Sequence, residues 1–169
     1  NISGFMIGRA YEEKGIAKDG AKLVNAVSTA KIPKVTIITG GSFGAGNYAM
    51  CGRAYQPRFL FSWPNSKISV MGGEIAAKVL SSVKEVQYKK LGKKWELKNK
   101  INFNKEIIDQ FDYEGSPYYA SARLWDDGIL DPITTRKKLA LALTYSLNSK
   151  RITGKFGIFR MWFKWAISI

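Results

Sequence analysis

The stretch Val35-Thr-Ile-Ile-Thr39, followed at once by Gly40-Gly-Ser-Phe-Gly-Ala-Gly-Asn47, decides how the rest of the chain is read. The first part is continuously apolar or β-branched, which suits a strand covered on both faces in a largely parallel sheet. The second part is too rich in glycine to remain strand, and the small residues from Tyr48 to Gly52 fit a tight turn into a helix start. Upstream, Ala17, Ala21, Val24 and Val27 recur at helical spacing between Gly15 and Ala30, and Pro33 ends that segment. Helix, buried strand, glycine turn and helix in succession predict an α/β layered fold.

The same order recurs downstream. Arg58 to Trp63 reads as a strand stopped by Pro64, and Lys67 to Met71 alternates as another. Gly72-Gly73 then opens a helix with Glu74 in its first turn, where a carboxylate suits the macrodipole, and Ile75 to Val83 keep the helical period. Ile107, Ile108 and Phe111 mark a short helix. Ser116-Pro117 and Asp131-Pro132 are cap-plus-proline signatures, the second ahead of a helix to about Asn148 with Leu139, Leu143 and Leu147 along one face. Ile2 to Ile7 reads as a strand already under way and Asn1 is not an initiator Met, so the chain is expected to be a fragment of a longer subunit. No Ser-, Gly- or Pro-rich linker divides it, which predicts one domain.

A chain of 169 residues with 46% hydrophobic and 13% aromatic residues belongs to the packed class rather than the disordered one. It contains no histidine, which excludes Ser-His-Asp and Cys-His catalysis and His-ligated zinc within it, and no metal site is expected. Ser42 therefore has no base. Cys51 stands alone in a small apolar context, as a buried free thiol does, and points to a reducing compartment. No stretch approaches the roughly 20 apolar residues of a spanning helix, so no membrane partner is expected.

The net charge of +14 invites a nucleic-acid reading, but nine lysines between Lys78 and Lys105, against Glu85 and Glu96, hold half of that excess. Such a run reads as a solvated helix and loop, or as a surface that attracts acidic phosphates, including those of coenzyme A. Asp126 and Asp127 beside Gly128 read as turn and cap residues, and Trp63, Trp95 and Trp125 as packing residues. Taken alone, the Gly40 to Asn47 loop leaves three readings open: a structural turn, an oxyanion site, or a nucleotide site without the phosphate-loop Lys.

Six stretches in order narrow these readings. They are Asn1-Ile-Ser-Gly-Phe-Met-Ile-Gly8, Gly15-Ile-Ala-Lys-Asp-Gly-Ala-Lys22, Gly40-Gly-Ser-Phe-Gly-Ala-Gly-Asn-Tyr48, Met50-Cys-Gly-Arg-Ala-Tyr55, Ser69-Val-Met-Gly-Gly-Glu74 and Trp125-Asp-Asp-Gly-Ile-Leu-Asp-Pro132. Together the chain resembles the carboxyltransferase (beta) subunits of biotin-dependent acyl-CoA carboxylases, with Asn47 and Met50-Cys-Gly52 pointing to the methylcrotonoyl-CoA branch. Phe156-Gly-Ile-Phe-Arg-Met161 is similar to that family's C-terminus. Phe43 departs from the family's usual Tyr, and Ile75 from the Gln of a Gly-Gly-Glu-Gln pattern.

The resemblance implies a crotonase-like fold of repeated strand-strand-helix (ββα) units. Residues 1–161 would be the C-terminal, biotin-side domain, and 162–169 an atypical tail. It implies a carboxyl transfer from biotin, carried on a partner alpha subunit or domain, to an acyl-CoA such as 3-methylcrotonoyl-CoA, in a hexameric core of beta subunits. By the resemblance, Gly44, Ala45 and Gly46 form a backbone oxyanion hole for the biotin ureido oxygen, and Gly41, Phe43, Gly72 and Gly73 contact the cofactor. It implies a mitochondrial matrix location in a eukaryote and a cytoplasmic one in a bacterium. Propionyl-CoA or another acyl-CoA is the alternative substrate, and a nucleic-acid module or an inactive interface fragment the alternative class. The chain alone is expected to be inactive and to associate.

Overall fold

The computed structural model describes residues 1–148; the tail at 162–169 and the Phe156 to Met161 similarity lie outside the described residues. Two helices, α1 (Arg9–Glu13) and α2 (Ile16–Thr29), lead into a unit made of β1 (Val35–Ile38), β2 (Gly41–Phe43) and α3 (Gly44–Ala49). The order repeats as β3 (Phe59–Ser62), β4 (Lys67–Ser69) and α4 (Gly73–Lys90). After these come α5 (Leu97–Glu114), α6 (Pro117–Ala122), a 3-10 turn at Pro132–Thr134 and α7 (Thr135–Leu147).

The two units interlock. β1 pairs in parallel with β3, from Val35 beside Phe59 to Ile38 beside Ser62, while β2 pairs in parallel with β4, from Gly41 beside Lys67 to Phe43 beside Ser69. Each unit thus supplies one strand to each of two sheets, and bridges from Ile2 to Ser42 and from Ile129 to Ser62 widen each sheet by one chain. This is the repeated ββα architecture that the resemblance implies. β1 and β3 are rich in β-branched and aromatic residues, as paired strands prefer. Ile38 and Leu60 are buried between the layers, and Phe59 and Phe61 stack with ring centroids 5.8 Å apart.

α4 and α5 form an antiparallel hairpin. At its base Ala76 and Ala77 bury against Ile107, with Met71, Phe103, Ile108 and Phe111 packed around them. Small residues on α4 let the two helices close on each other. Further along, Ser81 meets Asn104, Lys100 donates to Glu85 at 2.5 Å, and Tyr88 stacks on Trp95 at 5.8 Å. Both cap signatures act as read: Ser116 Oγ accepts from the Tyr119 amide at 3.2 Å, and Asp131 Oδ1 accepts from the Ile133 amide at 3.0 Å.

Four expectations need correction. Ile2 to Ile7 is not a strand: only Ile2 bridges, because Gly4 and Gly8 take positive φ and turn the chain away. The glycine-rich loop does carry a strand, since Gly41 to Phe43 find a parallel partner in β4 that local composition cannot reveal. The helix around Ile107 is not short but spans Leu97–Glu114, its polar half held by α4. In α7 the face of Leu143 and Leu147 is exposed, and Ala142 and Ser146 are buried instead.

Glu85 has its carboxyl held below the ordinary glutamate value, first by the hydrogen bond from Lys100 and then by its charge. A depressed native value adds stability above the unfolded value, and that stability is lost as pH falls through the native value. Carbon-13 NMR titration should therefore find Glu85 ionising below the ordinary glutamate value. Lys100→Met should move it back toward that value, and an unchanged titration in that variant would remove the hairpin pair as the cause.

Candidate active site

Because β2 and β4 run parallel and in register, the helices that follow them leave from the same edge of the sheet. The ends of parallel strands are where backbone donors of the following helices become available to a ligand. Phe43 is the residue before α3 and Gly72 the residue before α4, and neither helix start is satisfied by a side-chain cap.

The start of α3 is shaped by space. Gly44 adopts φ +53°, and a Cβ built on it would lie 3.0 Å from the Val70 carbonyl oxygen at the end of β4. Both the left-handed backbone and the close carbonyl require glycine. Gly46 is buried, and a Cβ there would meet Gly4 Cα at 3.1 Å, so the N-terminal segment lies directly on this turn. Between them Ala45 is exposed. Among the described residues the Ala45 and Gly46 amides donate to no acceptor, as befits the first turn of a helix.

Ala45 lines an apolar groove of about 580 Å³ whose walls come from Phe5, Met6 and Ile7, from Ile16 and Val24 of α2, and from Tyr48 and Tyr55. The two tyrosine rings meet edge to face, 5.9 Å apart. Burial, and then the charge of Tyr48, push the Tyr55 phenol above its ordinary value and keep it neutral. A second cavity of about 310 Å³ opens on the other side of the turn, between Phe43, the start of α4 and the end of α5. Gly72 and Gly73 line it, together with Lys67 and Asp112, which form an ion pair.

Of the residues singled out from sequence, Gly44, Ala45 and Gly46 stand together at one helix start, and Phe43, Gly72 and Gly73 share the smaller cavity. Gly41 joins neither: its amide donates to Asn1 Oδ1 at 3.0 Å and its carbonyl accepts from the Ile2 amide at 2.7 Å. The groove walls at Phe5 to Ile7 and the Tyr48–Tyr55 pair were missed, the first because that segment reads as strand. Asp126 and Asp127 are structural: Asp126 Oδ1 accepts from Ser121 at 2.5 Å, whereas Asp127 accepts from the Leu60 amide at 2.8 Å and pairs with Arg53. Cys51 is buried.

Parallel ββα units with a glycine-opened helix at the strand ends define a crotonase-like scaffold. The chain matches the carboxyl transferase domain over residues 1–159 and belongs to that family. It is 57% identical over 163 residues to the mitochondrial methylcrotonoyl-CoA carboxylase beta chain of Dictyostelium discoideum, covering 95% of this chain and 28% of that protein. It is 53% identical over 161 residues to the biotin-dependent 3-methylcrotonyl-coenzyme A carboxylase beta1 subunit of Mycobacterium tuberculosis, covering 95% of this chain and 30% of that one. The chain thus spans less than a third of the length of these relatives. Among solved structures it is similar to the beta subunit of P. aeruginosa geranyl-CoA carboxylase, with a TM-score of 0.77 and 39% identity over 94% of this chain and 30% of that one. The transcarboxylase 12S structure follows at 0.76 and 31%, over 94% of this chain and 29% of that one.

Gly44→Ala is expected to destabilise the fold by about 1–2 kcal/mol, the cost of a side chain in the left-handed region, with the Val70 contact adding to it. Gly72 has open space around its Cβ position and negative φ, so Gly72→Ala should cost less. Equal denaturant midpoints for the two variants would contradict this account of the turn.

Proposed function

We propose that this chain forms the biotin-facing part of the carboxyltransferase component of an acyl-CoA carboxylase, with 3-methylcrotonoyl-CoA as substrate. The observation that carries the reading is the unpaired Ala45 amide, presented at a glycine-opened helix start on the wall of an apolar groove. The 53–57% identity to relatives named for methylcrotonoyl-CoA favours that substrate.

Biotin carrying a carboxyl group on its ureido nitrogen would, when bound, supply that carboxyl by breaking the N–C bond, and the nitrogen so freed would accept the substrate proton. The residues here fit such a group: the groove offers apolar walls for a ring system and a fixed backbone donor for a carbonyl oxygen. Ala45, with Gly44 and Gly46 setting its backbone, would hold the ureido oxygen by that donor. A preorganised donor in an apolar pocket stabilises negative charge without reorganisation. Phe43, Gly72 and Gly73 would bound the approach from the other side of the turn. The absence of histidine is then no obstacle, since these residues orient and stabilise rather than transfer protons. A partner carrying biotin, further beta subunits and, in a eukaryote, the mitochondrial compartment named in the relatives' descriptions belong to the same proposal.

The test is Ala45→Val in the full-length subunit that contains this chain. Ala45 is exposed, so the branched side chain crowds the donor without disturbing the core. We expect kcat to fall about 100- to 1000-fold, the cost of losing one oxyanion donor, with the melting temperature kept. Unchanged turnover would remove Ala45 from the site. Assays against methylcrotonoyl-, propionyl- and geranyl-CoA decide the substrate.

A further inference from the structure

The α4–α5 hairpin carries a feature that carboxyl transfer does not use. Its base, at Gly72, Gly73, Ile108 and Phe111, is part of the smaller cavity beside the α3 start. Its tip lies about 27 Å away, the length of an 18-residue helix at about 1.5 Å per residue. Lys89, Lys90, Lys93, Lys94 and Lys98 gather there, all exposed, and among the described residues none forms an ion pair. The acids within reach are engaged: Glu85 is bound by Lys100, and Glu96 accepts from Asn99.

The tip is also built to hold its shape. Lys84 Nζ lies 3.9 Å from the Phe103 ring centroid and 5.3 Å from that of Trp95. Trp95 in turn stacks on Tyr88 and meets Phe103 edge to face. A cation–π contact and stacked aromatics fix the turn between the helices, so the lysines are presented on a rigid arm rather than a floppy loop. Clustered like charge without internal partners costs self-repulsion, which an acidic surface brought against it relieves.

We propose that the hairpin tip is a docking arm for an acidic face of the biotin-bearing partner protein, placing that partner within reach of the site at the hairpin base. The inference rests on the function proposed above. A protein partner fits better than nucleic acid, because both large tip aromatics are occupied by packing and leave no platform on which bases could stack. Exposed Leu91 and Leu97 beside the lysines supply the apolar contact that a protein interface adds to charge steering.

The experiment runs the transfer in reverse, from the carboxylated acyl-CoA to biotin, and compares biotin borne by the partner with free biotin as the acceptor in the full-length subunit. In the variant with Lys89, Lys90, Lys93 and Lys94 each changed to Glu, the ratio of kcat/KM for carrier-borne to free biotin should fall about tenfold or more, and the fall should shrink as salt rises. Lys93→Glu with Lys94→Glu alters the turn alone, leaves the helices intact, and should give a smaller fall in the same direction. Lys31→Glu with Lys138→Glu, on other elements, should leave the ratio within about twofold by the same screening argument. An unchanged ratio in the fourfold variant, in an enzyme active on free biotin, overturns the docking arm. Loss of RNA or anionic-vesicle binding with an unchanged ratio overturns it too and reassigns the patch. An unsubstituted subunit inactive on free biotin would instead overturn the proposed function.

Discussion

The parallel pairing of Phe43 with Ser69 is the constraint on which the rest depends. It joins two strands of only three residues each, too short to be stable alone, and so both must be held from outside. The N-terminal segment holds β2: Asn1 and Ile2 bond both backbone groups of Gly41, and Gly4 packs on Gly46. β4 is held by the Gly115 carbonyl, which accepts from the Ile68 amide at 3.0 Å after α5 returns. With the strands locked in register, the Val70 carbonyl is fixed against Gly44, and the left-handed turn that presents Ala45 follows from that contact.

The succession of strand, glycine turn and helix was legible because its signals are local: a β-branched run, a glycine break, a capped or glycine-opened helix. What was not legible is pairing. Gly41-Ser42-Phe43 has no intrinsic claim to be a strand and becomes one because Lys67 to Ser69 lies alongside. Periodicity also failed to choose between faces where both are apolar. α4 turns Ala76 and Ala77 inward and leaves Ile75, Val79, Val83 and Val86 about half exposed, a choice made by the close approach of α5 that small side chains permit. In α7 the same logic selects Ala142 over the neighbouring leucines.

The candidate site was legible in a different way. A search for acids, bases and nucleophiles finds nothing here, because the groups that matter at Gly44 to Gly46 are peptide N–H groups, which every sequence carries. Their only trace is negative: side chains removed where a ligand or another backbone must come close. Gly44 and Gly46 follow that logic, one against Val70 and the other against Gly4. Gly41 shows its limit, since glycine in the same loop serves β2 pairing and a tight fit to the Phe43 ring rather than the groove.

Charge on this chain divides in the same manner between structure and surface. Arg53 pairs with Asp127 and donates to the Trp125 carbonyl at 2.8 Å, and Lys67 pairs with Asp112 across the smaller cavity, so these cations are consumed by the fold. Lys89, Lys90, Lys93, Lys94 and Lys98 at the hairpin tip are not, among the described residues. Exposed pairs contribute little to stability, so nothing in folding alone demands five unpaired cations at one end of a rigid hairpin. Their effect is a field that extends beyond the tip by about the Debye length, roughly 8 Å at physiological salt, over which an approaching acidic surface is oriented before contact. A field that begins at the tip and the smaller cavity that opens at the base are joined by two packed helices, which keep the distance between them fixed.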